Sequence, residues 1–187
     1  GDRALFAVGT RIEGKLNVRA NKHLVVARVR NLRSDLVGCQ FEELSTEART
    51  ALSLALSPEA LGAELHLIPS SEPGVSWYHG PSGIDLLLHR DSSGKTDGLS
   101  IWSAGQFVQW SGTGDGLFTG IYRAASDTPG AAPRPVEMGL VRFEVLQLTR
   151  DAAFDPAKLD IANRVVLSSN LPDDLKSWCR QVLAAPR

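Results

Sequence analysis

The run Val25–Leu56, VVARVRNLRSDLVGCQFEELSTEARTALSLAL, constrains the fold more than any other part of the chain. Its odd positions Val25, Ala27 and Val29 are apolar, while Arg28 and Arg30 between them are charged. Such a period of two describes a strand with one buried and one wet face. Ser34-Asp35 turns the chain, and Val37, Cys39 and Phe41 form a second inward row. Upstream the same alternation runs from Phe6 to Val18. Phe6, Val8, Thr10, Ile12, Gly14, Leu16 and Val18 share one parity, and Arg11, Glu13, Lys15 and Asn17 hold the other. Ala20-Asn21-Lys22 supplies the turn between them. Strands this closely spaced, without helices between them, imply an antiparallel sheet or barrel, with Val29, Cys39 and Phe41 in one core.

A helix follows. Ser45 is a good N-cap, because its hydroxyl accepts a bond from a free backbone N–H of the first turn. Ala48, Ala51, Leu52, Ala55 and Leu56 recur at helical spacing and make one apolar stripe. Ser57-Pro58 ends it.

Short strands followed by one amphipathic helix resemble the last third of a PilZ domain, over about residues 1–60. The resemblance implies a small antiparallel β-barrel over residues 1–68 with a closing helix, and a bacterial signalling role tied to cyclic di-GMP. PilZ domains hold that nucleotide through Arg-x-x-x-Arg and Asp/Asn-x-Ser-x-x-Gly motifs, both ahead of the strand assigned to Phe6–Val18. Only Gly1-Asp2-Arg3-Ala4-Leu5 precedes that strand here, and neither motif occurs. The expectation is a truncated or degenerate PilZ-like domain that binds cyclic di-GMP weakly or not at all, the parent protein being the one to bind it. Arg28, Arg30 and Arg33 remain as a candidate anion site on one strand face. The competing reading is a solvated face neutralised by Asp35, Glu42 and Glu43.

The chain has 187 residues, enough for two small domains, with 43% hydrophobic and 22% charged residues. A net charge of −1 removes the case for nucleic-acid binding, which needs a basic surface. No apolar run approaches the ~18 residues of a membrane span, and a cytoplasmic location is expected. Gly1 opens the chain and Met138 is its only methionine, so a processed product or a fragment is expected. Cys39 and Cys179 both sit on apolar stripes and read as buried free thiols.

Pro69–Gly74 has linker composition and divides the chain into residues 1–68 and 75–187. Beyond it, strands are expected at Ile84–His89, Leu99–Ser103, Gln106–Trp110, Phe118–Tyr122 and Glu137–Thr149, with a hairpin turn at Ala104-Gly105. Ala124–Pro135, rich in proline, reads as a loop. Asp155-Pro156 opens one helix with Leu159, Ala162, Val165 and Val166 on its stripe. Pro172 opens another, with Asp173 and Asp174 at its positive end and Leu175, Trp178, Cys179, Val182 and Leu183 inward. The second unit is therefore a β-meander followed by two helices, an α+β arrangement.

Trp77, Tyr78, His79 and Asp85 are the candidate site of that unit. Rings flanked by Gly80, Pro81 and Gly83 suggest a rigid aromatic loop bordering a groove for a protein partner, with Ala124–Pro135 as its movable edge. The competing reading packs these rings over the core with Trp102 and Trp110. A small hydrolase acting around His79, with Asp85 and Ser82, is the alternative function, although no Gly-x-Ser-x-Gly elbow is present. His66, His79 and His89 lack paired cysteines or a His-x-x-x-His spacing, so no metal site is assigned and no cofactor is implied. Gly112–Gly116 reads as a hairpin turn, since it lacks the Lys-Ser/Thr and the helix of a phosphate loop. The reading that results is a non-enzymatic signalling or adaptor protein.

Overall fold

The computed structural model describes residues 6–32, 37–69, 73–114, 116–124 and 146–184. Arg33, the Ser34-Asp35 turn, residues 125–135 of the proline-rich loop and the part of the last strand before Leu146 lie outside them. The described residues are α+β, with two antiparallel sheets and four helices. It divides after Ser57 into two compact units, rather than in the Pro69–Gly74 stretch. The helix α2 (Pro58–Ala63) and the strand β4 (His66–Ile68) belong to the second unit, because β4 pairs with the strand that follows it.

In the first unit, β1 (Arg11–Val18), β2 (Asn21–Leu32) and β3 (Val37–Leu44) form a meander in the order β1-β2-β3. This is an open three-stranded sheet; the described residues close no barrel. The predicted register of β2 holds, with Ala27 and Val29 buried and Arg30 exposed. The helix α1 (Thr46–Ala55) starts as expected, with Ser45 Oγ accepting from the Ala48 amide, and it buries Ala48. Two inward assignments fail. Phe6 and Val8 are exposed, because the turn at Val8-Gly9 breaks the alternation before β1 begins, Gly9 taking a left-handed φ of 93°. Cys39 and Phe41 are exposed as well. They lie opposite Val29 and Ala27, but β3 is the edge strand and its register shifts at both ends of that pairing. The core of this unit is small: Val18, Ala27, Val29 and Ala48.

The second unit is built on a seven-stranded meander. β4 is followed by β5 (Val75–Gly80), β6 (Ile84–Arg90), β7 (Thr96–Ser103), β8 (Gln106–Ser111), β9 (Gly116–Ala124) and β10 (Leu146–Arg150), and each pairs antiparallel with the next. The β7–β8 hairpin turns at Ala104-Gly105, both in left-handed conformation, as a two-residue hairpin loop requires. Trp77–Gly80, read as a loop, belongs to β5.

One face of this sheet carries Tyr78, Ile84, Leu86, Leu88, Leu99, Ile101 and Val108 into the core. Against them pack α2, α3 (Pro156–Ser168) and α4 (Asp173–Leu183). Asp155 caps α3 by accepting from the Ala157 amide, and Leu159, Ala162, Val165 and Val166 are buried as the spacing predicts. In α4, Cys179 is fully buried, and burial pushes its thiol up to about 12. Trp110 meets Trp178 edge to face beside this core.

A polar clamp ties α3 to the sheet. Lys158, 8% exposed, reaches both carboxylate oxygens of Asp151 at 2.9 and 2.7 Å. Thr119 Oγ1 donates to Asp151 at 2.6 Å and accepts from the Asp155 amide at 3.0 Å. Each buried polar atom thereby gains a partner, the condition under which a buried ion pair is not a liability. Lys158 first and Thr119 second hold the Asp151 carboxyl below its ordinary value. A depressed folded value means that this stability is complete above the unfolded value and is lost as pH falls through the folded one. Replacing Lys158 with Met should cost about 3 kcal/mol at neutral pH, by stranding the carboxylate. It should also flatten the loss of stability below the ordinary carboxylate range, and urea unfolding across pH measures both effects.

Candidate functional site

Strand geometry decides which of the predicted site residues meet. Successive side chains of a strand point to opposite faces, so Trp77 and His79 share one face of β5 and Tyr78 takes the other. Tyr78 is 8% exposed among the core side chains, and burial raises its hydroxyl. It is therefore not part of an aromatic surface, a correction to the sequence reading. Trp77, at 38% exposed, and His79 face away from the helices.

The antiparallel register lines up one residue from each of seven strands on that outer face. His66 lies opposite His79, His79 opposite Asp85, Asp85 opposite Trp102, Trp102 opposite Phe107, Phe107 opposite Gly120 and Gly120 opposite Arg150. The neighbouring row reads Ile68, Trp77, Leu87, Ser100, Gln109 and Phe118.

At one end of the row the carboxylate of Asp85 organises two rings. Its Oδ1 accepts from the Trp77 indole N–H at 2.7 Å and from His79 Nδ1 at 2.8 Å. His66 meets the His79 ring edge on, with centroids 6.2 Å apart. Toward the other end the rings stack on each other. Trp102 lies over Phe107 at 5.3 Å and against Tyr122 at 5.2 Å, and Phe107 meets Phe118 at 6.0 Å. Gly120 permits this, because a Cβ there would fall 2.4 Å from the Phe107 ring. The guanidinium of Arg150 sits 3.5 Å over the Phe118 ring, a cation–π contact.

This half of the face was missed from the sequence. Trp102, Phe107, Phe118 and Tyr122 belong to strands that were identified correctly, yet only strand pairing gathers them. The competing core reading is half right: Trp110 turns inward to Trp178, while Trp102 belongs to the outer face.

The catalytic alternative gains a His–Asp pair and lacks the rest. Ser82 makes no hydrogen bond to His79, and among the described residues no hydroxyl or thiol does. A shallow recess lined by Asn163, Leu167, Ser177, Arg180, Gln181 and Ala184 lies on the helical side of the sheet, away from this pair.

In the first unit the arginines are already engaged. Arg28 is bonded through Nε to Glu42 and through Nη1 to the Gly9 carbonyl at 2.8 Å, and Arg30 Nε donates to Gln40 at 2.8 Å. Arg28 holds the Glu42 carboxyl below its ordinary value. Glu43 pairs with Arg11 rather than with the candidate anion site, and Arg33 and Asp35 lie outside the described residues.

Opposite orientations within one tripeptide give a direct test. Tyr78→Ala should cost about 3–5 kcal/mol, as truncation of a buried aromatic does. Trp77→Ala should cost about 1 kcal/mol, near the range of surface changes. Denaturant unfolding of the two variants measures the contrast, and equal losses would mean that the outer face is also core.

Compared with known proteins, the chain matches no family model, no curated protein and no solved structure.

Proposed function

We propose that this protein is a non-catalytic signalling adaptor that holds a protein partner on the outer face of its seven-stranded sheet. The observation that carries this reading is the outer face itself, on which Trp77, Leu87, Trp102, Phe118 and Tyr122 stay partly exposed on strands whose other face is full. Rigid rings bring large contact area at a small cost in entropy and anchor protein interfaces. Asp85 and Arg150, on β6 and β10 in one row, add a charge of each sign to fix a partner's orientation. A polyanion is disfavoured by the net charge of −1. Hydrolysis is disfavoured because, among the described residues, no hydroxyl or thiol is hydrogen-bonded to His79.

For the first unit, the order of three strands and a capped helix supports the PilZ-like reading, and with it a regulatory role in a bacterial signalling protein. Cyclic di-GMP binding by this chain is read as weak or absent. Two phosphates need uncommitted guanidiniums, and those of Arg28 and Arg30 already bond Glu42 and Gln40. Each lost charge-assisted bond is worth ~1.5–3 kcal/mol.

Three measurements test the proposal. Affinity capture from a bacterial extract should retain a protein with the wild type that is lost with Trp77→Ala/Tyr122→Ala, while circular dichroism stays unchanged. Retention by both would remove the outer face from the interaction. Calorimetric titration with cyclic di-GMP should give no heat in the low-micromolar range, and saturable binding there would return the ligand site to Arg28 and Arg30. Cleavage of ester or amide substrates that disappears in Asp85→Asn would establish the hydrolase instead.

A further inference from the structure

His66 and His79 are 13 positions apart in sequence, yet they are directly opposite on adjacent antiparallel strands and on the same face. Side chains so placed have Cβ atoms about 5 Å apart. Both rings are also oriented from behind by an acceptor. His79 Nδ1 lies 2.8 Å from the Asp85 carboxylate, and His66 Nδ1 lies 3.2 Å from the Glu64 carbonyl. A carbonyl and a carboxylate can only accept, so each Nδ1 must carry the proton. In the neutral rings the lone pair is then on Nε2 in both, the nitrogen remote from the backbone. A ring N–H bonded to a carboxylate or a carbonyl, with the other nitrogen bare, is the arrangement that orients metal-binding histidines and raises their basicity.

We propose that His66 and His79 together bind one divalent transition-metal ion, such as Zn²⁺ or Cu²⁺, through their Nε2 atoms. Two imidazoles on one zinc at ~2.1 Å place their ring centroids about 5 Å apart at a tetrahedral angle and about 6 Å when the angle opens. The 6.2 Å centroid distance lies just beyond this range, and the two rings, now edge to face, rotate toward each other to bring both Nε2 atoms onto one ion. β4 is the edge of the sheet, His66 is exposed and the His79 side chain is 37% exposed, so an ion has free entry. Among the described residues no third histidine, cysteine or carboxylate converges with them, so water fills the remaining positions. Asp85 does not bind the ion; it positions His79. Imidazole nitrogen suits Zn²⁺, Cu²⁺ and Ni²⁺, whereas Mg²⁺ and Ca²⁺ take oxygen ligands. The site is independent of the adaptor reading, since it needs only the purified chain and an inorganic ion.

Isothermal titration of the full chain with zinc chloride, in a buffer that does not chelate, tests it. One equivalent should bind, copper should bind more tightly than zinc, and magnesium should give no heat. Both His66→Gln and His79→Gln should weaken binding by tenfold or more, and His89→Gln should leave it unchanged. Asp85→Asn should weaken it by about 10- to 100-fold, the usual effect of removing a group that orients a metal-binding histidine. The paramagnetic resonance spectrum of the copper form should carry hyperfine coupling from two nitrogens. Absence of zinc binding up to millimolar concentration would overturn the proposal. So would unchanged affinity in the His66→Gln/His79→Gln variant, or a loss confined to one of the two single variants.

Discussion

Antiparallel register in the seven-stranded sheet is the constraint on which the second unit depends. Its side-chain period is two, so a slip of one residue in any strand would exchange every core side chain for an outer one. The helices hold that register from one side only. Leu86, Leu88, Leu99 and Ile101 are at most 4% exposed beneath α2, α3 and α4, and a slip would send Leu87, Ser100 and Trp102 under the helices instead. The row from His66 to Arg150 on the other face is thus fixed by packing that none of its members supplies. At the N-terminal end of α3 the Asp151–Lys158–Thr119 clamp adds direction to that packing, because hydrogen bonds are oriented and apolar contact is not.

How much of this was legible in the sequence follows from the range of the interactions. Helix starts were legible at Ser45 and Asp155, because a cap is a contact between residues two or three apart. Strands β6 to β9 were legible from the turns that separate them, such as Ala104-Gly105. β5 was not, because Gly80, Pro81 and Gly83 next to it suggested a loop, although Trp77 and His79 already alternate with Ser76 and Tyr78. That alternation was the available signal, and it would have separated Tyr78 from its neighbours. The domain boundary was displaced for a related reason. Pro69–Gly74 has the composition of a linker but serves as the connection between β4 and β5, two paired strands of one sheet.

Contacts across strands could not be read at all. His66 and His79 come together only because β4 pairs with β5 in one register, and Phe107 lies over Gly120 only because β8 pairs with β9. In the first unit the same limitation acted in reverse. Cys39 and Phe41 have the right parity, opposite Val29 and Ala27, and parity was read correctly. What parity does not report is whether anything covers the face at that strand, and the edge position of β3 leaves both exposed.

The two faces of the large sheet therefore answer to different physics. The inner face is apolar, dense and closed, and its residues are interchangeable with others of similar volume at modest cost. The outer face is built from specific pairs: an indole and an imidazole on one carboxylate, a phenyl ring over a glycine, a guanidinium over a ring. Such pairs are worth about 0.5–1.5 kcal/mol each beyond burial, too little to hold the fold and enough to hold a side chain in one orientation. Phe107 is 2% exposed and contributes by burial as well, but for the partly exposed side chains orientation without burial contributes little to stability. Its physical use is to reduce the entropy that a bound group would otherwise have to overcome, and that is the reason for proposing a binding role for the outer face.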